Sequence, residues 1–218
     1  MSAEDNPAVD LMARGASLSA LRRAVPACRA CHLWKDATQA VFGAGRAHAA
    51  VVLVGEAPGD REDREGKPFV GPAGAILTKA LEQAGLASRD LYLTNAVKHF
   101  KFEPRGKRRI HKKPDAGEIT ACHPWLEGEL RKVRPSIVVC LGVTAARAVF
   151  GRPVKIGERR GRFEASPDGW DVTVTVHPSA ILRAPDADAR AQAMRDFVAD
   201  LREVARRLRA RSATRRGT

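Results

Sequence analysis

The chain has 218 residues, with 38 lysine and arginine residues against 25 acidic ones and a formal net charge of +13. This length suits one α/β domain with a sizeable core and excludes two such domains joined by a linker. The charge predicts attraction to polyanions, with nucleic acid as the expected partner, because bound cations release the counterions that surround phosphates. No apolar stretch approaches the length of a membrane span, so attachment to a membrane is not expected.

The two ends of the chain, residues 1–12 and 212–218, are predicted to be flexible, and a short helix is predicted over residues 17–25. The polar N-terminus lacks the basic and apolar regions of a secretory signal. We therefore expect a cytoplasmic protein, associated with the nucleoid if nucleic acid is its partner. No coiled-coil seam is evident, so a monomer is expected.

Strands and helices alternate from residue 50 onward. Aliphatic or β-branched runs predict strands over 50–54, 91–94, 137–141 and 172–176. Helices are predicted over 73–84, 115–131, 143–150 and 186–211, and the segment 154–170 is compatible with a small hairpin. This order predicts a single α/β domain over 1–218, a three-layer sandwich with a central, mostly parallel, four-stranded sheet flanked by helices. The functional loops should follow the carboxyl ends of the strands.

Four cysteines are spread over three segments of the chain. Cys28 and Cys31 form a C-x-x-C pair, whereas Cys122 and Cys140 follow at a distance. Because thiols stay reduced in the cytoplasm, we expect metal or cluster ligands rather than two disulfides. Zinc and an iron–sulfur cluster both accept four thiolates, and the spacing does not choose between them. The alternative is that Cys122 and Cys140 are small buried hydrophobic residues.

A glycine-rich turn, Gly-Glu-Ala-Pro-Gly at residues 55–59, follows the first predicted strand. A second glycine-rich segment, residues 66–74, contains Phe69 and leads into a predicted helix. Glycine-rich loops beside a helix N-terminus expose backbone N–H groups. Such loops suit a phosphate, or a flat ligand on which Phe69 can stack. The alternative is a plain connection between strand and helix.

Together with the cysteines, with Asn95-Ala96-Val97-Lys98 and with His177-Pro178-Ser179, these segments resemble the family 4 uracil-DNA glycosylases. The resemblance extends from about residue 28 to the C-terminal helix. It implies the uracil-DNA glycosylase fold and uracil-containing DNA as the partner. It also implies a [4Fe-4S] cluster as the cofactor, with the ligands Cys28, Cys31, Cys122 and Cys140.

The resemblance implies a role for each matching residue. Glu56 takes the position of the carboxylate that activates water or stabilises the sugar cation. Phe69 would stack on uracil, Asn95 would read the base edge, and His177 would face a uracil carbonyl and stabilise the departing anion. Taken singly, Glu56 could cap the turn, Asn95 could be a turn residue after a strand, and His177 could be a hydrogen-bonded histidine before a proline. The implied uracil-binding set is Gly55, Ala57, Phe69, Asn95 and His177.

The segment 98–113 is longer and more basic than its counterpart in conventional members of that family. Phe100 and Phe102 are interleaved with the cations. Such a pattern suits a single DNA strand, whose phosphates pair with the cations while its bases stack on the aromatic rings. The expected DNA-contacting residues are Lys98, Arg105, Lys107, Arg108, Arg109, Lys112, Lys113 and Ser179.

The Arg-Arg-Ile-His motif at 108–111 resembles that of the X-type subgroup, in which the motif histidine bonds covalently to the deoxyribose after uracil departs. His111 takes that position, and a neutral imidazole is a competent nucleophile. Neighbouring cations are expected to lower the pKa of His111, Glu56 to orient it or accept its proton, and Arg109 to hold the loop or touch a phosphate. The alternative is that His111 is only a solvated member of a cationic loop.

One residue departs from the X-type pattern. There a glutamine follows the turn glutamate, whereas this chain has Ala57, the residue of conventional family 4 enzymes. Ala57 cannot supply the hydrogen bond of a glutamine side chain.

Three functions remain open. The first is a uracil-DNA glycosylase that cleaves the N-glycosidic bond of deoxyuridine, prefers single strands, and traps itself on the sugar C1′ through His111. The second is a conventional multiple-turnover glycosylase that releases free uracil. The third is a non-catalytic binder of uracil-containing or single-stranded DNA. We expect the first.

Overall fold

The computed structural model describes residues 6–214, with side chains described up to residue 211. The predictions for residues 1–5 and 215–218 lie outside the described residues. The prediction of flexibility for residues 7–12 is wrong, because they form most of helix α1 (Pro7–Ala13). Asn6 caps this helix by accepting a hydrogen bond from the Ala8 N–H at 3.0 Å, and its amide donates to the Ala121 carbonyl at 2.7 Å. Residues 212–214 continue the last helix.

The other helices and strands occupy most of the chain. The helices are α2 (Leu18–Ala24), α3 (Asp60–Glu65), α4 (Pro72–Ala84), α5 (Ala116–Val133), α6 (Val143–Phe150), α7 (Ile156–Arg159), α8 (Pro178–Leu182) and α9 (Ala187–Thr214). The strands are β1 (Ala44–Gly45), β2 (Val51–Gly55), β3 (Leu91–Asn95), β4 (Phe102–Arg105), β5 (Arg108–His111), β6 (Ile137–Leu141), β7 (Phe163–Ala165) and β8 (Asp171–Thr175).

The main sheet has six strands in the order β1-β3-β2-β6-β8-β7. Its four central strands are parallel and coincide with the four predicted ones, so the predicted α/β architecture is confirmed. The sheet is wider than predicted because β1 and β7 add antiparallel edges. These edge strands have two and three residues, too few for a periodic pattern to be visible. The unplaced segment 154–170 contains α7 and β7.

The central strands are buried on both faces, which explains their unbroken apolar runs. Val52 and Val54 face a core shared with α1, α2, α5 and α6, whereas Val51 and Leu53 face the core formed with α4, α8 and α9. The result is a helix–sheet–helix sandwich. Among the described residues, no helix is both long and apolar enough to cross a membrane.

The order of the central strands creates a crevice at their carboxyl ends. The chain leaves β2 for β3 on one side and later enters β6 on the other side of β2, so the loops diverge at this point. In open α/β sheets, ligands bind at such a switch point. Gly55 and Asn95 end neighbouring strands in register, and His177 follows β8 at the same edge.

The basic insertion forms a hairpin of its own. β4 pairs with β5 in antiparallel register, with His111 opposite Phe102, and Gly106 takes a positive φ of 58° in the turn. This hairpin is separate from the main sheet and carries His111 at its end.

Candidate active site

A cavity of about 900 Å³ opens at the carboxyl edge of the sheet. All three predicted catalytic residues and most of the predicted uracil-binding residues line it. They are Glu56, Ala57, Phe69, Asn95, His111 and His177. The described fold therefore brings residues from five segments of the chain into one pocket.

Glu56 enters the pocket directly after β2, and each of its carboxylate oxygens has a different neighbour. Oε2 accepts a hydrogen bond from the Thr144 hydroxyl. Oε1 lies 3.9 Å from Nε2 of His111. Thr144 is 2% exposed, in the first turn of α6. The Thr144 hydroxyl fixes one carboxylate oxygen of Glu56 and leaves the other facing the pocket. No sequence motif predicted this contact.

Phe69 lies in the pocket wall with a strained backbone. Its φ of 57° is in the left-handed region, which non-glycine residues rarely adopt. A Cβ on Gly74 would come within 1.9 Å of the Phe69 carbonyl oxygen, so this close approach requires glycine at position 74. The Phe69 ring lies 6.4 Å from the His177 ring at an angle of 30°. The two rings provide a platform for a flat ligand.

Asn95 is 3% exposed and sits opposite Gly55. A Cβ at position 55 would lie 2.3 Å from Oδ1 of Asn95 and 2.6 Å from Cζ of Phe69, so only glycine leaves room for both side chains. The amide of Asn95 has no hydrogen-bond partner among the described residues. It can therefore donate to and accept from a base edge.

His177 follows β8 and caps α8. Its Nδ1 accepts a hydrogen bond from the Ser179 N–H at 3.2 Å and lies 2.8 Å from the Ser179 hydroxyl. The pKa of His177 is lowered to about 4, chiefly by burial; Glu56 opposes the shift, whereas His111 and Arg183 contribute to it. The ring is neutral at physiological pH. Because Nδ1 accepts, its proton is on Nε2, which is a donor.

His111 keeps 41% of its side chain exposed and lies 5.8 Å, centroid to centroid, from the Phe100 ring. Its pKa is lowered from 6.5, chiefly by desolvation; Arg183 also lowers it, while Glu56 opposes the shift. The pKa of His111 is lowered, as expected, but neighbouring cations are not the main cause. Burial dominates, and the contributing cation, Arg183, lies outside the basic run.

Arg109 points inward and anchors the hairpin. Its Nε donates to Oδ1 of Asp60 at 2.5 Å, and its Nη1 donates to Oδ2 of the fully buried Asp63 at 2.7 Å. Its guanidinium lies 5.2 and 5.1 Å from the ring centroids of Phe100 and Phe102. Of the two predicted roles for Arg109, these contacts favour the one that holds the loop.

The expectation that Lys98 contacts DNA is wrong, because its side chain is buried and paired with Glu129. Phe100 is 1% exposed and stacks on Phe102, with 5.0 Å between ring centroids, so it is not available to a DNA base. Ser179 is engaged with His177 and accepts a hydrogen bond from Arg183 at 3.1 Å. The predicted DNA contacts that are exposed are Arg105, Lys107, Arg108, Lys112 and Lys113.

Three of the four cysteines lie close together. The pKa of Cys122 is raised to about 12, chiefly by burial; Lys98 opposes the shift, and the sulfurs of Cys28 and Cys31 contribute to it. Nε1 of Trp125 donates to the Cys28 sulfur, and the Lys98 N–H donates to the Cys122 sulfur, each at 3.2 Å. Such N–H contacts are typical of thiolates that hold an iron–sulfur cluster.

Cys140 stands apart from this group. It lies in β6 between Val54 and Val174 of the neighbouring strands, and burial alone raises its pKa, with no contribution from another cysteine. The expectation that all four cysteines converge is therefore not met. Within residues 6–214, no three histidine, cysteine or acidic side chains are arranged to hold a single metal ion.

His99 is a buried candidate ligand near the three cysteines, and the sequence pattern did not predict it. It is 4% exposed and follows Lys98, whose N–H contacts the Cys122 sulfur. Burial lowers its pKa to about 4, and the nearby Arg29, the residue after Cys28, also lowers it. A neutral imidazole therefore lies in the neighbourhood of the three cysteines.

Residues 42–202 match the model of the uracil DNA glycosylase superfamily, so the chain belongs to that superfamily. It is similar to the type-4 uracil-DNA glycosylase of Saccharolobus solfataricus, with 38% identity over 72% of this chain and 74% of the relative. The type-4 uracil-DNA glycosylase of Archaeoglobus fulgidus is 38% identical over 78% and 85%. That of Thermotoga maritima is 36% identical over 79% and 87%.

The contact between Thr144 and Glu56 yields a first prediction. Replacing Thr144→Val removes the hydroxyl that fixes Glu56, so single-turnover release of uracil should slow by about tenfold, the worth of one hydrogen bond to a charged group. Thr144→Ser, which keeps the hydroxyl, should remain within about twofold of the unmodified protein. Quench-flow measurement at saturating enzyme tests this, and equal rates for the valine and serine variants would contradict it.

Proposed function

We propose that this protein excises uracil from DNA, prefers single strands, and then bonds covalently to the abasic sugar through His111. Superfamily membership and the type-4 relatives support uracil-DNA glycosylase activity. The observation that carries the covalent step is the position of the partly exposed His111, whose pKa is lowered by burial, at 3.9 Å from Glu56 and inside the same cavity as Phe69 and Asn95.

Recognition of uracil would use three surfaces. The base would stack on Phe69, present its O4 and N3–H to the Asn95 amide, and receive a hydrogen bond from Nε2 of His177 at a carbonyl. A single strand offers the base without the cost of unpairing. The exposed cations of the β4–β5 hairpin, Arg105, Lys107 and Arg108, would hold the phosphates beside the pocket.

Cleavage would proceed without a change in the charge of Glu56. The bond between C1′ and N1 breaks, and its electron pair leaves with uracil as an anion that the His177 N–H stabilises. The sugar becomes an oxocarbenium ion, which the Glu56 carboxylate stabilises from nearby. Because the His177 imidazole is neutral before the reaction, it stabilises the uracil anion through the N–H hydrogen bond and does not transfer its proton.

Capture follows if His111 reaches C1′ before water does. The unprotonated ring nitrogen of His111 donates its lone pair to C1′ and forms the new C–N bond. The imidazolium then gives up the proton of its other ring nitrogen to solvent, and the uracil anion takes up one proton. The hairpin anchor at Arg109 keeps the imidazole in place, and prepositioning favours it over a diffusing water.

A conventional multiple-turnover reaction is the second candidate, and Ala57 is the observation that favours it. Ala57 lines the pocket with a methyl group where the X-type pattern has a glutamine. Without that side chain, water has more room near the sugar.

The two candidates are separated by one experiment. The protein is mixed with a tenfold excess of a labelled uracil-containing single strand, and both free uracil and boil-resistant adduct are counted per enzyme. We expect one uracil and one adduct per chain for the unmodified protein, and no adduct for His111→Ala. Uracil in large excess over enzyme, without adduct, would instead establish turnover. Binding with no uracil released would establish a non-catalytic binder.

The lowered pKa of His111 leads to a prediction for the pH dependence. Capture needs the neutral ring, which is lost as pH falls through the pKa, and this pKa lies below the ordinary 6.5. The midpoint of the acid limb in the single-turnover rate of adduct formation should therefore lie below pH 6.5. Arg183→Gln removes a cation that lowers the pKa, so its acid limb should move to higher pH. A midpoint at or above 6.5 in the unmodified protein would contradict this.

We propose further that Cys28, Cys31, Cys122 and His99 hold a [4Fe-4S] cluster. Three cysteines are grouped and two of them, Cys28 and Cys122, accept hydrogen bonds at sulfur, whereas no other cysteine contributes to the pKa of Cys140; a fourth ligand is therefore sought elsewhere. His99 is buried and adjacent along the chain to the Lys98 N–H that contacts Cys122. When bound, the cluster would tie the N-terminal cysteine pair to the segment after β3 and to α5.

The ligand assignment is tested by iron content and visible absorbance. Cys140→Ala should retain both, because the residue only fills space in the sheet. His99→Ala should lose iron, and His99→Cys should restore it by supplying a fourth thiolate. Loss of the absorbance in Cys140→Ala together with its retention in His99→Ala would reverse the assignment.

A further inference from the structure

A buried ion pair lies beneath the strand end that carries Asn95. Nζ of Lys98 donates to Oε2 of Glu129 at 2.5 Å, and the two side chains are 1% and 0% exposed. The same ammonium group donates to the Thr94 hydroxyl at 2.7 Å and to the main-chain carbonyl of Asn95 at 2.8 Å. All three of its N–H donors are thus used, and one of them holds the backbone of the predicted base reader.

Both carboxylate oxygens of Glu129 also accept hydrogen bonds from other groups. Its Oε1 accepts from the Gly43 N–H at 2.7 Å and from the Tyr92 hydroxyl at 3.0 Å, while its Oε2 also accepts from Thr94 at 2.8 Å. Taking two charges out of water costs free energy that their attraction roughly offsets, so a buried pair adds little stability over packed apolar residues. Stability alone does not account for this pair.

The pair is instead placed to control the direction of Asn95. The Asn95 side chain has no hydrogen-bond partner in the described structure, so the direction in which it points depends on its backbone. That backbone is held by the Lys98 ammonium at its carbonyl and by the next residue, whose N–H donates to the Gly55 carbonyl at 2.9 Å. Lys98 is fixed in turn by its own N–H contact with Cys122 and by its carbonyl, which accepts from the Val41 N–H at 2.7 Å.

We propose that Lys98 is a positioning residue that aims Asn95 and thereby sets the preference of the pocket for uracil over cytosine. The inference rests on the proposed function, in which Asn95 reads the base. Uracil offers an acceptor at O4 and a donor at N3, whereas cytosine offers the reverse, so an amide free to shift would accept either base. A fixed backbone beneath Asn95 limits how far the amide can move to adapt to the reversed donor and acceptor of cytosine.

The experiment uses the Glu56→Gln protein, in which binding can be measured without excision. Removing Lys98 alone would strand a buried carboxylate, so Lys98→Met is combined with Glu129→Gln, which keeps acceptors for Gly43 and Tyr92. The control pair is Arg207→Met with Asp171→Asn, which removes the partly buried ion pairs of Asp171 with Arg207 and Arg211 at the opposite, amino end of β8. Affinities are measured for matched single strands that contain one uracil or one cytosine.

We expect the Lys98→Met/Glu129→Gln protein to lose at least tenfold in the ratio of the two affinities, while its affinity for the cytosine strand stays within twofold. The control pair should leave the ratio unchanged. Lys98→Gln combined with Glu129→Gln is a second variant for the case that the first double variant does not fold. The glutamine at position 98 is one bond shorter than lysine and has two donors, so this variant should also lower the ratio. An unchanged ratio in a folded Lys98 variant would overturn the inference. A Glu56→Gln parent without any preference for uracil would overturn the proposed base recognition and this inference together.

Discussion

The site depends on the ion pairs between Arg109 and the acidic residues of the short helix α3. A hairpin of two four-residue strands is barely stable by itself, so β4 and β5 need an external anchor to hold His111 in one place. Asp63 provides it, because it is fully buried and bonded to Arg109 and to the Thr38 N–H. An unpaired carboxylate there would be costly, which keeps Arg109 in place.

The same helix ties the other walls of the pocket together. The carboxylate of Glu62 accepts hydrogen bonds from the Gly59 N–H at 3.1 Å and from the Gly71 N–H at 2.8 Å. Gly59 ends the turn that carries Glu56, and Gly71 follows the loop of Phe69. One turn of helix thus links the carboxylate, the aromatic ring and the imidazole, although these come from three separate segments.

The sequence predicted the architecture and most of the pocket, because strands buried on both faces and glycine-rich turns leave strong local signals. It did not predict contacts that join distant segments. Lys98 and Phe100 belong to a run of cations and aromatic rings that suits a nucleic-acid surface, yet a carboxylate 31 residues later, Glu129, draws Lys98 into the core. Thr144 belongs to no recognisable sequence motif, and only the tertiary structure places it beside Glu56. Cys140 and His99 show the same limit, since counting cysteines cannot tell which of them converge.

The proposed nucleophile is His111, a histidine in the pocket of a uracil-DNA glycosylase superfamily member. Mass spectrometry of the digested protein–DNA adduct tests it most directly, because it locates the modified residue without any mutation. We expect the sugar on the peptide that contains His111 and nowhere else. An adduct on His177, on a lysine of the hairpin, or no adduct after complete uracil release would contradict it.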